Sequence, residues 1–521
     1  MGIYLNPGND AFQQAINSEI YVDKSMLIAF TNQRKDTLQK YICVSRPRRF
    51  GKSMAADMLV SYYSRGCDSR QQFEKLKIAK DKSFEVNLNN HNVIHLNIQK
   101  FLNREASIRD MLKQMSVRVG RELRKAFPQV EYSDDSLVTS MEEIFAETKE
   151  KFVFVIDEWD CVFRVKQNDV EAQKEYLDFL RDLLKDQPYA ELVYMTGILP
   201  IKKYGEHSAL NMFDEYSMTN QGELAEFTGF TEAEVQRLCE QYDMSFDDMK
   251  HWYDGYDLQR MSIYNPKSVV MALQRRIFDN YWTQTETYES VRIYIELNYD
   301  GLRDAIVELI AGEHKRIDTT TFTNDMVTFQ TKDDVLTLLL HLGYLAYDFD
   351  RKEVYIPNHE IREQFISTVR VIGWQDVVKS LQLSEQLLSA TLRGEAVQVA
   401  DIVEQVHQEN TSILKYNDEN SLSCVLSLAY YSAKKEYVMY RELPAGKGFS
   451  DLVFVPKAGC EKPAFIVELK WNNTEKTALD QIKDKQYVNG LRDYTGDVLL
   501  VGISYQQNTK RHTCRIEKVR K

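Results

Sequence analysis

The stretch YICVSRPRRFGKSMAADML, residues 41–59, decides the fold of the first third of this chain. Five strand-like residues (41–45) lead through a tight basic turn to Gly51-Lys52-Ser53. Apolar residues then recur at three- and four-residue spacing, the mark of a helix. Strand, tight loop and helix in that order is where a phosphate-binding loop sits. Backbone N–H groups at the helix N-terminus face an anion, a lysine reaches the outer phosphates, and a serine hydroxyl holds Mg²⁺. On this reading Arg48, Arg49, Phe50 and Gly51 form the cradle, Lys52 meets the phosphates and Ser53 is the metal ligand. One position departs: the usual G-x-x-x-x-G-K-[ST] spacing has Gly at 46, and this chain has Arg46. With Pro47, Arg48 and Arg49 the loop is stiffer and far more basic than usual, and a lone GKS arises often by chance.

Outward from that loop, strand-like and helix-like segments alternate, the pattern of a parallel sheet covered by helices. Four runs read as buried strands: YICVS (41–45), VIHLNI (93–98), FVFVI (152–156) and LVYMT (192–196). The third ends in Asp157-Glu158. Two carboxylates ending a parallel strand beside a phosphate loop place Asp157 to order Mg²⁺ and Glu158 to polarise the attacking water. The alternative, a buried strand followed by a solvated acidic turn, is the weaker reading once both elements occur in order. Thr196 ends its strand where it can sense a γ-phosphate. Lys202, Lys203 and His207 follow in its loop, where a group could be placed near the phosphates, but such residues are more often ordinary surface residues.

The chain has 521 residues, enough for three domains at about 150 residues each. With only 21 Gly and 10 Pro, it is neither collagen-like nor disordered. Its longest apolar run, Val335 to Tyr347, falls well short of the roughly 20 residues of a spanning helix. No basic and apolar leader opens the N-terminus, so a cytoplasmic protein without a membrane partner is expected. Seven scattered cysteines, never spaced C-x-x-C, argue against a disulfide framework and a zinc knuckle. A net charge of −12 speaks against non-specific coating of nucleic acid. Residues 481–521 nevertheless carry nine Lys and Arg against four Asp and Glu, concentrated in KRHTCRIEKVRK (510–521). That run is either a solvated tail or a phosphate-contacting edge.

From about 222 to 310 the pattern is helical with no sheet evident. Residues 330–368 read as helix, short hairpin and helix, a winged-helix-like arrangement that is either a packing module or a DNA reader. From about 410 a helix leads into SDLVFVP, AFIVELK, a further helix and DVLLVGISY, an α/β domain of normal size. Here Asp451 begins one strand, and Glu468 and Lys470 end the next on one face, with Leu469 turned to the core. Two carboxylates facing one pocket can hold Mg²⁺, and a neighbouring lysine can serve water attacking a phosphodiester. Alone, this spacing has a high chance rate, and a surface ELK on an edge strand is the plain alternative; Glu442 is either a further acid or a cross-strand ion-pair residue.

Six ordered segments make the first half familiar: YVDKSMLI (21–28), RPRRFGKS (46–53), VIDEWD (155–160), MTGI (195–198), WYDGY (252–256) and YNPKSV (264–269). Together they resemble the AAA-ATPase-like family of bacterial proteins, whose phosphate loop also reads RPRRFGKS, so Arg46 is a family trait. The resemblance implies an ATP- and Mg²⁺-binding core. Likewise RELPAGKGFSDLVFVP, PAFIVELKW and QIKDKQY resemble the PD-(D/E)xK nuclease domain commonly fused behind this ATPase, with Ser450 where Pro is frequent. That pattern implies Glu419 as a helical metal ligand beside Asp451 and Glu468, and Gln481 as a further catalytic-site residue with Lys470. The expected architecture is α/β throughout: a P-loop NTPase core with a parallel sheet (1–225), a helical lid and winged-helix-like region (226–400) and a restriction-endonuclease-like α/β domain (401–521). The expected function is ATP-regulated, Mg²⁺-dependent cleavage of nucleic acid, DNA first, in genome defence or mobile-element biology. The alternative is a regulatory ATPase whose C-terminal fold only binds nucleic acid. Whether the chain forms a homo-oligomer stays open.

Overall fold

A computed structural model describes residues 2–520 apart from 167–168, 202–209, 221, 259, 283–300, 323–328, 330, 372–374, 411–428, 446–447, 458–459 and 486–493. The chain divides into two compact units, Met1–Leu302 with Lys315–Gln364, and Arg303–His314 with Phe365–Lys521. In the first, the four buried runs are the strands β1 (Tyr41–Ser45), β2 (Asn92–Asn97), β3 (Phe152–Asp157) and β4 (Ala190–Gly197). A short fifth, β5 (Asp214–Tyr216), was not anticipated, because three residues carry no readable alternation. All pair in parallel in the order β2-β3-β4-β1-β5. Every residue of β1, β3 and β4 is buried, as a sheet covered on both faces requires. The chain leaves β1 for the far edge at β2, returns through β3 and β4, and crosses to β5 on the other side of β1. Connections out of β1 and β4 therefore diverge, and the crevice beyond their carboxyl ends is where such sheets bind ligands.

Between 222 and 310 the expectation of no sheet is corrected: β6 (Phe230–Thr231), β7 (Tyr256–Leu258) and β8 (Met261–Tyr264) pair antiparallel in the order β6-β8-β7. Strands of two to four residues are too short to stand out from the helices around them. Those helices, Glu232–Tyr242, Phe246–Tyr253 and Pro266–Arg275, close over Val235, Met249, Tyr253 and Val269. Thr231 and Glu234 form a capping box, and Asn265 caps Pro266–Arg275 through its side chain, so the local sequence starts both helices where they begin.

The helix, ribbon, helix pattern is present as Lys332–Leu342, β10 (Ala346–Asp348) with β11 (Glu353–Tyr355), and His359–Val371; β9 (Lys315–Arg316) adds a third strand beside β11. Asp334 to Leu342 are all buried. A helix enclosed around its whole circumference has no face for a groove, and the ribbon tip carries Asp348 and Asp350. Both observations favour the packing module over the DNA reader.

The second unit holds a five-stranded sheet in the order β12-β13-β14-β15-β16: β12 (Tyr437–Ala445), β13 (Gly448–Pro456), β14 (Ala464–Trp471), β15 (Asp497–Gln506) and β16 (Arg511–Arg520). Only β14 and β15 are parallel, bridged by the helix Glu475–Asp484. One sheet face, with Leu452, Phe454, Phe465 and Val467, packs on Leu387, Val399 and Val403 of two long helices, Gln375–Arg393 and Ala396–Asn410. The rings of Phe454 and Phe465 stack at 4.2 Å. On the other face, Ala464, Ile466, Leu479 and Ile482 form a smaller core. The basic C-terminal run is not a solvated tail: it is the edge strand β16. Lys518 pairs with Asp497 at 2.7 Å and Arg515 with Glu517 at 3.3 Å, so part of its charge is neutralised within the sheet. The helix expected over 419–433 lies mostly outside the described residues. No helix among the described residues is long and apolar enough to cross a membrane.

Candidate nucleotide and metal sites

At the carboxyl ends of β1 to β4 the parallel register places Asn97 beside Asp157, and Thr196 beside Val44. Asp157, 3% exposed, collects three donors there. Ser53 Oγ gives to its Oδ2 at 2.9 Å, Asn97 Nδ2 to the same oxygen at 3.1 Å, and Thr196 Oγ1 to its Oδ1. The loop 46–51 ends in Gly51 at φ +84°, a left-handed conformation in which glycine has no steric cost, and the helix Lys52–Tyr63 starts at once. Lys52 is buried, and its Nζ donates to Pro47 O at 2.9 Å. Burial lowers its pKa, while the carboxylates of Glu158 and Asp157 oppose that shift. A cleft of about 310 Å³ is lined by Arg48, Arg49, Lys52, Ser53 and Glu158. Ser53 and Asp157 are hard oxygen donors converging on one point, which suits Mg²⁺ completed by water and phosphate oxygens.

Arg46 behaves unlike its basic neighbours. It is fully buried, and its Nη1 donates to Ser45 O at 3.1 Å and Tyr216 O at 2.9 Å, fastening β1 to β5. Burial pulls its pKa down to about 10, still a cation at neutral pH. Arg46 is therefore a brace under the loop, whereas Arg48 and Arg49 line the cleft. Phe50 stands edge-on to Tyr256 at 5.2 Å, and Gly229 N donates to Phe50 O at 2.9 Å.

Against the same loop lies a second, mostly apolar cavity of about 410 Å³. Its walls include Tyr21, Val22, Phe50, Met54, Phe227 and Val270, and Arg49, Gly51 and Met54 line both spaces. Sequence reading did not find it, since its walls come from segments about 250 residues apart. It also missed Asn97, for which the only signal is a polar residue closing an apolar strand. Lys202, Lys203 and His207 lie outside the described residues.

In the second unit, the β13–β14 ladder runs Phe454↔Phe465, Val453↔Ile466, Leu452↔Val467. At the next position Asp451 Oδ2 accepts from Leu469 N at 2.7 Å, a side chain taking over a ladder bond. Asp451 and Glu468 thereby meet where the two strands part. Glu468 pairs across the sheet with Gly502, whose missing side chain admits the helix Glu475–Asp484: a Cβ there would stand 2.4 Å from Glu475 O. That close approach delivers Gln481, whose Nε2 donates to Glu468 Oε1, with Lys470 Nζ 3.6 Å from the same oxygen. Glu468 is 1% exposed, and its Oε2 is buried with no hydrogen-bond partner among the described residues. Burial first, and Asp451 second, push its carboxyl up to about 8. An orphaned carboxylate oxygen beside a second acid is what a divalent cation would satisfy, so the residues fit Mg²⁺. Among the described residues no group of three or more His, Cys, Asp or Glu could hold a metal, so each site supplies few protein ligands. That is usual for Mg²⁺, which keeps waters and substrate phosphates. Glu419 and the side chains of Glu442 and Ser450 lie outside the described residues.

Residues 8–205 match the family model of a predicted AAA-ATPase, and residues 417–514 that of the PD-(D/E)XK nuclease superfamily. The chain carries one domain of each kind. A curated relative, an uncharacterized protein in the vnfD 5' region of Azotobacter chroococcum mcd 1, is 25% identical over 283 residues. The match covers 51% of each protein, so this chain spans about half that relative's length. Among solved structures, the Walker-type ATPase PABY2304 of Pyrococcus abyssi is 12% identical with a TM-score of 0.33, over 66% of this chain and 94% of that one. The AAA-ATPase match covers the phosphate loop, Asp157, Glu158 and Thr196, while the nuclease match covers Asp451, Glu468, Lys470 and Gln481.

Proposed function

We infer that this protein hydrolyses ATP at the first site and cleaves nucleic acid, DNA first, at the second, with the nucleotide state regulating cleavage. The observation that carries the reading is the convergence of Ser53, Asp157 and Thr196 beside Lys52 on one unit, and of Asp451, Glu468, Lys470 and Gln481 on the other. Lys52 and the helix N-terminus would balance the outer phosphates, Arg48 and Arg49 the rest of the triphosphate. The apolar cavity beside the loop suits the faces of a nucleobase. Glu158 lines the cleft as the group that polarises the attacking water. Thr196 shares Asp157 with Ser53, so it would report on the phosphate through that carboxylate. At the second site, Asp451 and Glu468 would hold the metal and Lys470 would orient the water, with Gln481 fixing Glu468. Mg²⁺, when bound, supplies charge stabilisation at the phosphates and lowers the pKa of water. A role in genome defence or mobile-element biology is consistent with this pairing of activities. The test is incubation of circular and linear DNA with Mg²⁺, with and without ATP. Cleavage that needs Mg²⁺ and changes with ATP is the expected result, and ATP turnover without cleavage of either form would leave a nucleotide-driven binding protein.

A further inference from the structure

Arg164, on the helix Cys161–Val165, is absent from the residues assigned above, yet it stands at the centre of a charge network. Its side chain is only 9% exposed. Its Nη2 donates to Glu158 Oε2, and its Nε donates to Asp160 Oδ2 at 3.0 Å. Asp160 is fully buried, and the same Oδ2 accepts from Leu199 N at 2.9 Å. Trp159 N in turn donates to Thr196 O at 3.0 Å. The turn 158–160 is therefore bound to the end of β4 by two hydrogen bonds and to Arg164 by two ion pairs. Glu158 itself sits at φ +56°, a left-handed conformation that a glutamate keeps only where its surroundings hold it. Arg164 grips Oε2, while Oε1 makes no hydrogen bond among the described residues.

We propose that Arg164 is a positioning residue for hydrolysis: its guanidinium fixes the Glu158 carboxylate so that one oxygen is left for the attacking water, and it links that orientation through Asp160 to the strand end that carries Thr196. This rests on the nucleotide-site reading above. In the step it serves, the water oxygen bonds to the γ-phosphorus as the bond from that phosphorus to the bridging oxygen breaks. The electron pair leaves on ADP, and the water proton passes to Glu158 and on to the phosphate product or solvent. A base oriented by a third group is the same logic that holds a catalytic histidine against its carboxylate. Arginine suits the task because its planar fork spans two carboxylates at fixed angles, which a lysine ammonium cannot do.

Arg164→Lys is the discriminating variant, since it keeps a cation against buried Asp160 and so preserves the fold. If it nevertheless fails to fold, Arg164→Gln with Asp160→Asn removes both charges together and takes its place. ATP turnover, binding of a non-hydrolysable ATP analogue and thermal melting are measured on Arg164→Lys, Glu158→Gln and the two combined. The expected result is a kcat lower by about tenfold to a hundredfold for Arg164→Lys, the penalty of a misplaced catalytic group. KM, analogue affinity and melting temperature should stay at the wild-type values. In the Glu158→Gln background the lysine exchange should cost nothing more, because it acts through that carboxylate. Wild-type turnover by Arg164→Lys, an equal loss in both backgrounds, or a loss that follows analogue affinity would each overturn the positioning role. Full-rate turnover by Glu158→Gln alone would instead remove the nucleotide-site reading beneath it.

Discussion

Asp157 and Glu468 are both acids at the carboxyl end of a buried strand, and the chain treats them in opposite ways. Around Asp157, Ser53, Asn97 and Thr196 supply donors to both oxygens. Glu468 is equally buried, but one of its oxygens has no hydrogen-bond partner among the described residues and a second carboxylate stands beside it. The first arrangement is complete as protein and can be held rigid through a cycle of nucleotide exchange. The second carries a cost in the protein alone that a cation would offset, which couples metal binding to the stability of that unit. On the proposed reading, the same residue types would serve a preorganised site in one unit and a metal-completed site in the other, and the difference lies in the neighbours that the strands bring along.

If the first site owes its rigidity to its bracing, removing the brace should cost more than any change in phosphate contacts. Arg46→Gly restores the commoner loop spacing, but it takes out a fully buried side chain that fastens β1 to β5. A loss on the order of 3 kcal/mol is expected, from the cavity and the abandoned carbonyls together. Denaturant unfolding would show it; loss of nucleotide affinity without loss of stability would mean that Arg46 faces the phosphates instead.

A smaller effect shows what burial does to an acid whose oxygens are satisfied, with Asp279 a minor contributor. Glu360 is as buried as Glu468, but its oxygens accept from Ser268 Oγ, Tyr281 N and Trp282 N. Burial still pushes its carboxyl up to about 7 from 4.5. A raised carboxylate pKa contributes stability that is full below about pH 4.5 and is lost as pH rises through about 7. Glu360→Gln resembles the protonated form, with its amide oxygen toward Tyr281 and Trp282. The pH dependence of melting across that window should flatten in this variant, and an unchanged profile would place the titration in another group.

Strands β1 to β4 were legible because each carries a run of four or five mostly apolar residues ended by a polar one. By contrast β5 to β8 were not, since two to four residues hold no period, and β16 was hidden by its charge: only His512, Cys514 and Ile516 alternate toward the core, and Lys518 and Arg520 continue the same side. At the site, Lys52, Ser53 and Asp157 were legible as a spacing, whereas Asn97 and Arg164 act only through contacts that the sheet and the turn after β3 create. Arginine is seldom buried, so nothing in the string RPRR separates Arg46, under the loop, from Arg48 and Arg49, in the cleft. Gln481 was found through family pattern, and the reason it reaches Glu468, the empty side-chain position at Gly502, lies on a strand 21 residues further along.

Separate chemistries at the two sites are tested most directly by following ATP turnover and Mg²⁺-dependent cleavage of circular DNA together in Asp451→Ala, Glu468→Gln and the double Asp451→Ala/Glu468→Ala variant. Cleavage should fall by about a thousandfold in either single variant, the loss of several kcal/mol of metal-supplied stabilisation. The double variant should be hardly worse, because ligands of one ion act as a unit. ATP turnover should persist at the wild-type rate in all three. Cleavage that survives in the double variant, or ATP turnover that collapses with it, would contradict the account.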